Sequence, residues 1–208
     1  ATFVSESDQL QLLYIILAHN NAERVIRLIE TLQIEDAGGT DKIAKPNFVI
    51  HIDKKVDSDD TYRQLSDLYS HVGNVYILPD DLRVSINWGG FNMVQATLNC
   101  LKFIFCVDPD FCSTDGEVPF DKIVHLASTS YPIKSNSYIR EKISQFPLEA
   151  NLFDLIMQPN VPAPDTWHYF VECDDRIHRL YRLKSFPRIY TGSQWFIMSY
   201  DFFRKFSH

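Results

Sequence analysis

Three apolar runs set the frame: LLYIILA (Leu12–Ala18), NFVIHID (Asn47–Asp53) and NVYIL (Asn74–Leu78), with stretches of helical period between them. A run that is apolar at nearly every position has no wet face, so each reads as a strand covered on both sides. In HNNAERVIRLIETL, Val25, Leu28, Ile29 and Leu32 recur at helical spacing, and Asn20 or Asn21 suits the cap. SDDTYRQLSDLYSHV repeats the pattern, with Ser58 as cap and Leu65, Leu68, Tyr69 and Val72 directed inward. This β-α-β-α-β order requires parallel strands joined by right-handed crossovers. It predicts a Rossmann-like α/β fold, a three-layer sandwich with a mostly parallel central sheet.

Two of the seven glycines, Gly89 and Gly90, stand side by side after Trp88 and lead into a third helix. Asn92 is its expected cap, with Gln95 in capping-box position and Val94, Leu98, Leu101 and Phe105 as the buried stripe. FDKIVHLA (Phe120–Ala127) gives a fourth strand, and a helix follows with its cap near Ser135 or Asn136. NLFDLIM reads as a strand and YFVECDDRIHRLYRL as helical. The closing RIYTGSQWFIMSYDFFRKF reads as strand, glycine turn, strand and helix. Residues 1–208 are read as a single domain.

The net charge of -7, with no basic cluster beyond DKK, argues against nucleic acid as a partner. No apolar run reaches the roughly eighteen residues a membrane span needs. No Cys-x-x-Cys pair suggests zinc. Cys100 and Cys106, about 9 Å apart along one predicted helix, cannot bridge each other. A Cys106–Cys112 or a Cys112–Cys173 bridge, or buried free thiols, all remain open.

Ligands of open parallel sheets bind beyond the carboxyl ends of the strands. Those ends carry Ala18-His19-Asn20, His51-Ile52-Asp53, Pro79-Asp80 and Ser128-Thr129-Ser130, a polar rim on apolar strands. His51 and His125 lie inside strands and read as satisfied core histidines; Trp88 taken alone reads as core. No dinucleotide cradle, P-loop or nucleophile elbow occurs. Asp59-Asp60 and Asp80-Asp81 read as solvated charge.

YIILAHN, NFVIHIDKK, NWGGFNMVQATLNCL, IVHLASTSYPIKSN and TGSQWFIMSYDFF occur in one order and spacing. From Leu12 to Phe206 the chain thereby resembles the core-2/I-branching glycosyltransferase family, which includes the peptide O-xylosyltransferases. The resemblance implies an inverting transferase of GT-A type that moves a sugar from a UDP donor to a hydroxyl of a glycan or glycoprotein, and it makes residues 1–208 a single nucleotide-sugar-binding domain truncated on its C-terminal side. It implies no cofactor and no metal: HIDKK offers Asp53 without a second carboxylate two residues on. By the same resemblance Ala18 and His19 flank the uracil, Asp53 the nucleoside, and Trp88 and Gly89 the donor sugar. A bulky residue at Gly89 or Gly90 is then expected to remove donor binding without unfolding the chain. Ser193 and Trp195 become acceptor-side candidates, as do Glu172 and Arg176 from ECDDRIHRL.

WGG and ECDD resemble the corresponding stretches of the xylosyltransferases, and that resemblance implies xylose as the donor sugar, ahead of N-acetylglucosamine and glucuronic acid. The family's general base lies well downstream of TGSQWF, so it is expected beyond His208, and the diphosphate-binding cations later still. Mucin-type members pair a second-strand cysteine with the one in LNC; Val49 stands there here, so Cys100 lacks that partner. The alternative to an enzyme is a non-catalytic nucleotide-sugar or carbohydrate binding module of the same fold. Family membership would place a eukaryotic protein in the Golgi or secretory lumen and a bacterial one in the cytoplasm. A membrane would be reached only through a segment outside this chain.

Overall fold

The computed structural model describes residues 10–34, 45–55, 59–107, 118–157, 168–173, 176–182 and 190–205. In chain order the elements are β1 (Leu12–Ala18), α1 (Ala22–Gln33), β2 (Asn47–Ile52), α2 (Asp59–Tyr69) and β3 (Val75–Ile77). A 3₁₀ turn (Asp80–Leu82), α3 (Phe91–Ile104), β4 (Lys122–Ala127) and α4 (Asn136–Ile143) follow. Then come β5 (Leu152–Phe153), β6 (Ile156–Met157), β7 (His168–Cys173), β8 (Arg176–Arg182), β9 (Tyr190–Thr191), β10 (Phe196–Ser199) and α5 (Tyr200–Arg204).

The central sheet has six strands in the order β3-β2-β1-β4-β10-β5. The first four are mutually parallel, and β10 runs antiparallel to both neighbours. Side chains of β1 alternate between two cores because successive Cβ atoms point to opposite faces. Tyr14 and Ile16 join Phe48 and Ile50 beneath α1, α2 and α4, while Leu13 and Ile15 join Val49 and Ile123 beneath α3 and Phe203 of α5. Both faces are covered, as the continuous apolar runs require, and the three-layer α/β arrangement follows.

Local chemistry fixes the entries of the helices. Asn21 adopts a left-handed φ of 66° that asparagine tolerates better than most residues, and its side chain accepts the Arg24 N–H. Ser135 does the same for Tyr138 ahead of α4. Across the first core the Tyr14 hydroxyl donates to Asn136 Oδ1 at 2.7 Å, fully buried. Tyr14→Phe should therefore lower stability by about 1–2 kcal/mol, read as a shifted urea midpoint at constant slope, because it strips a buried acceptor of its donor.

Several expectations need correction. Leu68 and Val72 are exposed: α2 turns Thr61 and Leu65 inward and half-buries Tyr62 and Tyr69, and Val72 lies past its end. In α3, Gly90 is the cap residue, and the Asn92 side chain instead donates to Ser85 O. Gln95 donates to Asn99 Oδ1 rather than closing a capping box. The buried face of α3 is Ala96, Asn99, Cys100, Phe103 and Ile104; Val94 and Leu98 are exposed. The apolar residues of α3 run nearly all round it, so period alone did not fix the face.

NLFDLIM divides into β5 and β6, which belong to different sheets. The segment expected to be helical forms the antiparallel ribbon of β7 and β8. Cys100 and Cys173 are free while Cys106 is disulfide-bonded, which removes the Cys112–Cys173 pairing. Cys112 and the proposed cap Ser58 lie outside the described residues.

Candidate functional site

The site begins where β1 and β2 end. The Asp53 N–H donates to Ala18 O at 2.8 Å, tying the two strand tips together. One carboxylate oxygen of Asp53 meets His19 Nδ1 at 3.0 Å. The other accepts the backbone N–H groups of Lys55 and Ile86, both at 3.1 Å. Asp53 is only 2% exposed, and these donors take the place of the water it has lost.

The segment from Arg83 to Asn87 is stitched to the same tip. The Arg83 guanidinium donates to Ile52 O, Asp53 O and Asp80 Oδ1, each at 2.9 Å, and covers the Tyr62 ring at 4.0 Å. Asp80 also pairs with Lys54 at 3.1 Å. The Lys54 hydrogen bond first, and then the charges of Lys54 and Arg83, hold its carboxyl below the usual aspartate value. Asp80 is thus a paired anchor rather than merely solvated charge. The Val84 N–H donates to His51 Nε2 at 3.0 Å.

Between these groups lies a cavity of about 400 Å³. The strand tips contribute Ala18, His19, Asp53 and Lys55; the stretch entering α3 contributes Ile86, Trp88 and Met93. The far wall is His125, Ser128 and Thr129 from β4 and its exit, with Gln194 and Trp195 ahead of β10. The Lys55 ammonium is anchored on Ile86 O and lies 3.4 Å from Asn87 Oδ1, which sets positive charge in the wall. Trp88, 89% exposed, stands at the rim and not in the core.

The glycine pair has two separate causes. Gly89 adopts a left-handed φ of 81°, a conformation that costs other residues roughly 1–2 kcal/mol. Gly90 makes room: a Cβ there would lie 2.7 Å from both carboxylate oxygens of Glu172. That carboxylate accepts Asn87 Nδ2 at 2.9 Å and the Asn92 N–H at 3.2 Å. Gly90 brings no capping side chain, so a carboxylate from β7 does the work at the positive end of α3. Gly89 and Glu172 are not part of the cavity lining, and the room at Gly90 belongs to Glu172.

Of the expected site residues, Ala18, His19, Asp53, Trp88 and Trp195 converge on the one cavity. Gly89, Glu172, Arg176 and Ser193 lie outside its lining: Arg176 is exposed on β8, and the Ser193 hydroxyl accepts the Trp195 N–H at 3.2 Å. Lys55, Ile86, Met93, His125 and Gln194 were missed. Lys55 could have been suspected from its place two residues after Asp53. His125 carried no sequence signal that separated it from packing.

His51 and His125 are buried, but among the described residues each has an Nδ1 without a hydrogen-bond partner, so neither is the satisfied core histidine expected. Burial pushes both down to about 4, so both are neutral near pH 7. Among the described residues, no three His, Cys, Asp or Glu side chains are grouped to hold a metal ion, and no helix is long and apolar enough to cross a membrane.

The sequence model of the Core-2/I-Branching enzyme family matches residues 41–206. Xylosyltransferase 1 of Canis lupus familiaris and that of Homo sapiens are each 22% identical over 202 residues, covering 94% of this chain and 19% of theirs. The Rattus norvegicus protein of that name is 23% identical over 195 residues, covering 91% of this chain and 21% of its own. The chain therefore spans about a fifth of the length of these relatives. Among solved structures, S. aureus TarS 1-349 superposes with a TM-score of 0.37 at 13% identity, over 80% of this chain and 46% of that one.

Proposed function

Starting from the fact that the chain belongs to the Core-2/I-Branching enzyme family, a family of glycosyltransferases, we propose that its cavity receives a UDP-sugar for inverting transfer. The observation that carries this reading is the convergence of Ala18, His19 and Asp53 on one cavity with Lys55 in its wall. A volume of about 400 Å³ is within the usual range for a small-molecule site.

In this reading the uracil and ribose lie against Ala18, His19 and Asp53. The Lys55 ammonium faces the diphosphate and offsets the charge that grows as the bond from the anomeric carbon to the phosphate oxygen breaks. The sugar extends toward Trp88, Met93 and Trp195. The acceptor hydroxyl attacks from the face opposite the departing UDP and gives its proton to a carboxylate. Asp53 is unsuited to that task, since its oxygens already accept from His19, Lys55 and Ile86. Proton removal is assigned to a carboxylate outside this cavity wall.

Acceptor contacts are assigned to Trp195, Ser193 and the ribbon bearing Arg176, while Glu172 acts at the start of α3. Xylose leads the donor order and N-acetylglucosamine comes second; the relatives named xylosyltransferase support the first place alone. No metal is assigned a part. A thermal-shift series with UDP-xylose, UDP-N-acetylglucosamine and UDP-glucuronic acid tests the reading. At a concentration of about 100 times Kd, the right donor adds about 2.7 kcal/mol of stability. Asp53→Ala should abolish the shift, and a wild-type chain indifferent to every donor overturns the reading.

A further inference from the structure

His125 sits on β4 with Thr97 of α3 at one edge of its ring and Phe196 stacked on its face. It is 5% exposed, stacks on Phe196 with centroids 4.8 Å apart and lies 6.0 Å from Trp195. Its Nε2 is 3.2 Å from Thr97 Oγ1. Thr97 lies inside a helix, and its hydroxyl is positioned to donate to the carbonyl one turn back, Met93 O, at 3.4 Å. With the hydroxyl donated to that carbonyl, the oxygen turns its lone pairs to the ring; this arrangement assigns the proton to Nε2 and leaves Nδ1 as an acceptor. Nδ1 has no partner among the described residues, although His125 lines the cavity. A buried acceptor without a donor costs stability unless something supplies one.

We propose that His125 determines donor specificity: its Nδ1 accepts a hydrogen bond from a hydroxyl of the transferred sugar. The placement favours the sugar over the nucleoside. Register sets β4 and β2 on opposite sides of β1, so His125 is a full strand removed from the β2 tip where Asp53 meets His19. Trp195, assigned to the sugar, lies 6.0 Å from the His125 ring, and the carbonyl of Met93, likewise assigned, receives the Thr97 hydroxyl that meets that ring. The inference rests on the donor reading above and assigns one more contact within it.

The test is His125→Phe, which keeps a ring against Phe196 and removes the acceptor. Calorimetry with UDP and with UDP-xylose or UDP-N-acetylglucosamine should show UDP binding unchanged. Binding of the matching UDP-sugar should weaken roughly fivefold to tenfold, the share of one hydrogen bond. Equal weakening of UDP and UDP-sugar would make His125 a cavity-shaping residue only, and no change for either would remove it from the site. Both results overturn the inference.

Nitrogen NMR of the unmodified chain answers the same question if the variant does not fold. The His125 Nδ1 signal should move upfield on adding the UDP-sugar and stay in place on adding UDP; a signal indifferent to both overturns the proposal. A wild-type chain that binds no UDP-sugar overturns the donor reading and this contact together. That outcome is distinguishable from a UDP-sugar that binds while Nδ1 stays unchanged.

Discussion

Gly192→Ala is expected to destabilise the chain by roughly 3 kcal/mol, at or above the usual range for overpacking, and to weaken UDP-sugar binding more than tenfold. A Cβ at residue 192 would lie 2.2 Å from the carbonyl oxygen of Asp154. Main chain, unlike the end of a flexible side chain, cannot swing aside. Asp154 joins β5 to β6, and Gly192 follows β9, the partner of β6. The added methyl must therefore part this ribbon or push Ser193–Trp195 away from the cavity. Urea unfolding reads the first effect and calorimetry the second; a variant with wild-type midpoint and affinity would show that the close approach is not required. The contrast with Gly90 is informative, because there the obstructing atoms are the end of the Glu172 side chain and can move.

Between pH 6.5 and 4 the chain should lose stability steeply, by up to roughly 3 kcal/mol for each of His51 and His125. Burial lowers both to about 4 in the folded chain, against 6.5 when unfolded. Above pH 6.5 both states hold neutral imidazoles and nothing is lost. As the pH falls through the window, the unfolded chain binds protons that the folded chain refuses, so unfolding gains free energy. The slope should approach two protons taken up per molecule unfolded. His51→Gln and His125→Gln should each remove about one of them. Unchanged slopes in both variants would contradict the burial of the two rings.

How much could be read from the sequence followed from how strongly each segment is constrained. β1 is apolar throughout and β2 mostly so because both faces are covered, and strand type and parallel order were evident from them. Asn21 and Ser135 declared their helix entries through short polar side chains. The face of α3 was half misjudged: Phe105 is buried and Leu101 packs on the core as expected, but Val94 and Leu98 offered an apolar stripe as plausible as the one actually buried. The ribbon of β7 and β8 was taken for helix because its exposed strands, with Phe170, Leu180 and Tyr181 on the surface, lack the clean alternation of a half-buried pair.

The cavity lining was legible where it coincides with strand tips, at Ala18, His19 and Asp53. Trp88 and Trp195 came from matching motifs. The rest depended on contacts across long separations: Glu172 with Asn92, 80 residues away, or His125 with Thr97, 28 residues away. Such pairings leave no local pattern. The glycine pair shows the division well. Its position was conspicuous, but the partner that explains Gly90 lies on another element.

The central claim is that the tips of β1 and β2, joined at His19 and Asp53, hold the uridine diphosphate end of the donor without a divalent cation. Calorimetry of the wild-type chain with UDP, first in chelator and then with added Mn²⁺, tests it most directly. The expected result is a measurable heat in chelator and the same affinity once the cation is supplied. Silence in chelator with binding restored by Mn²⁺, or silence in both, would contradict it.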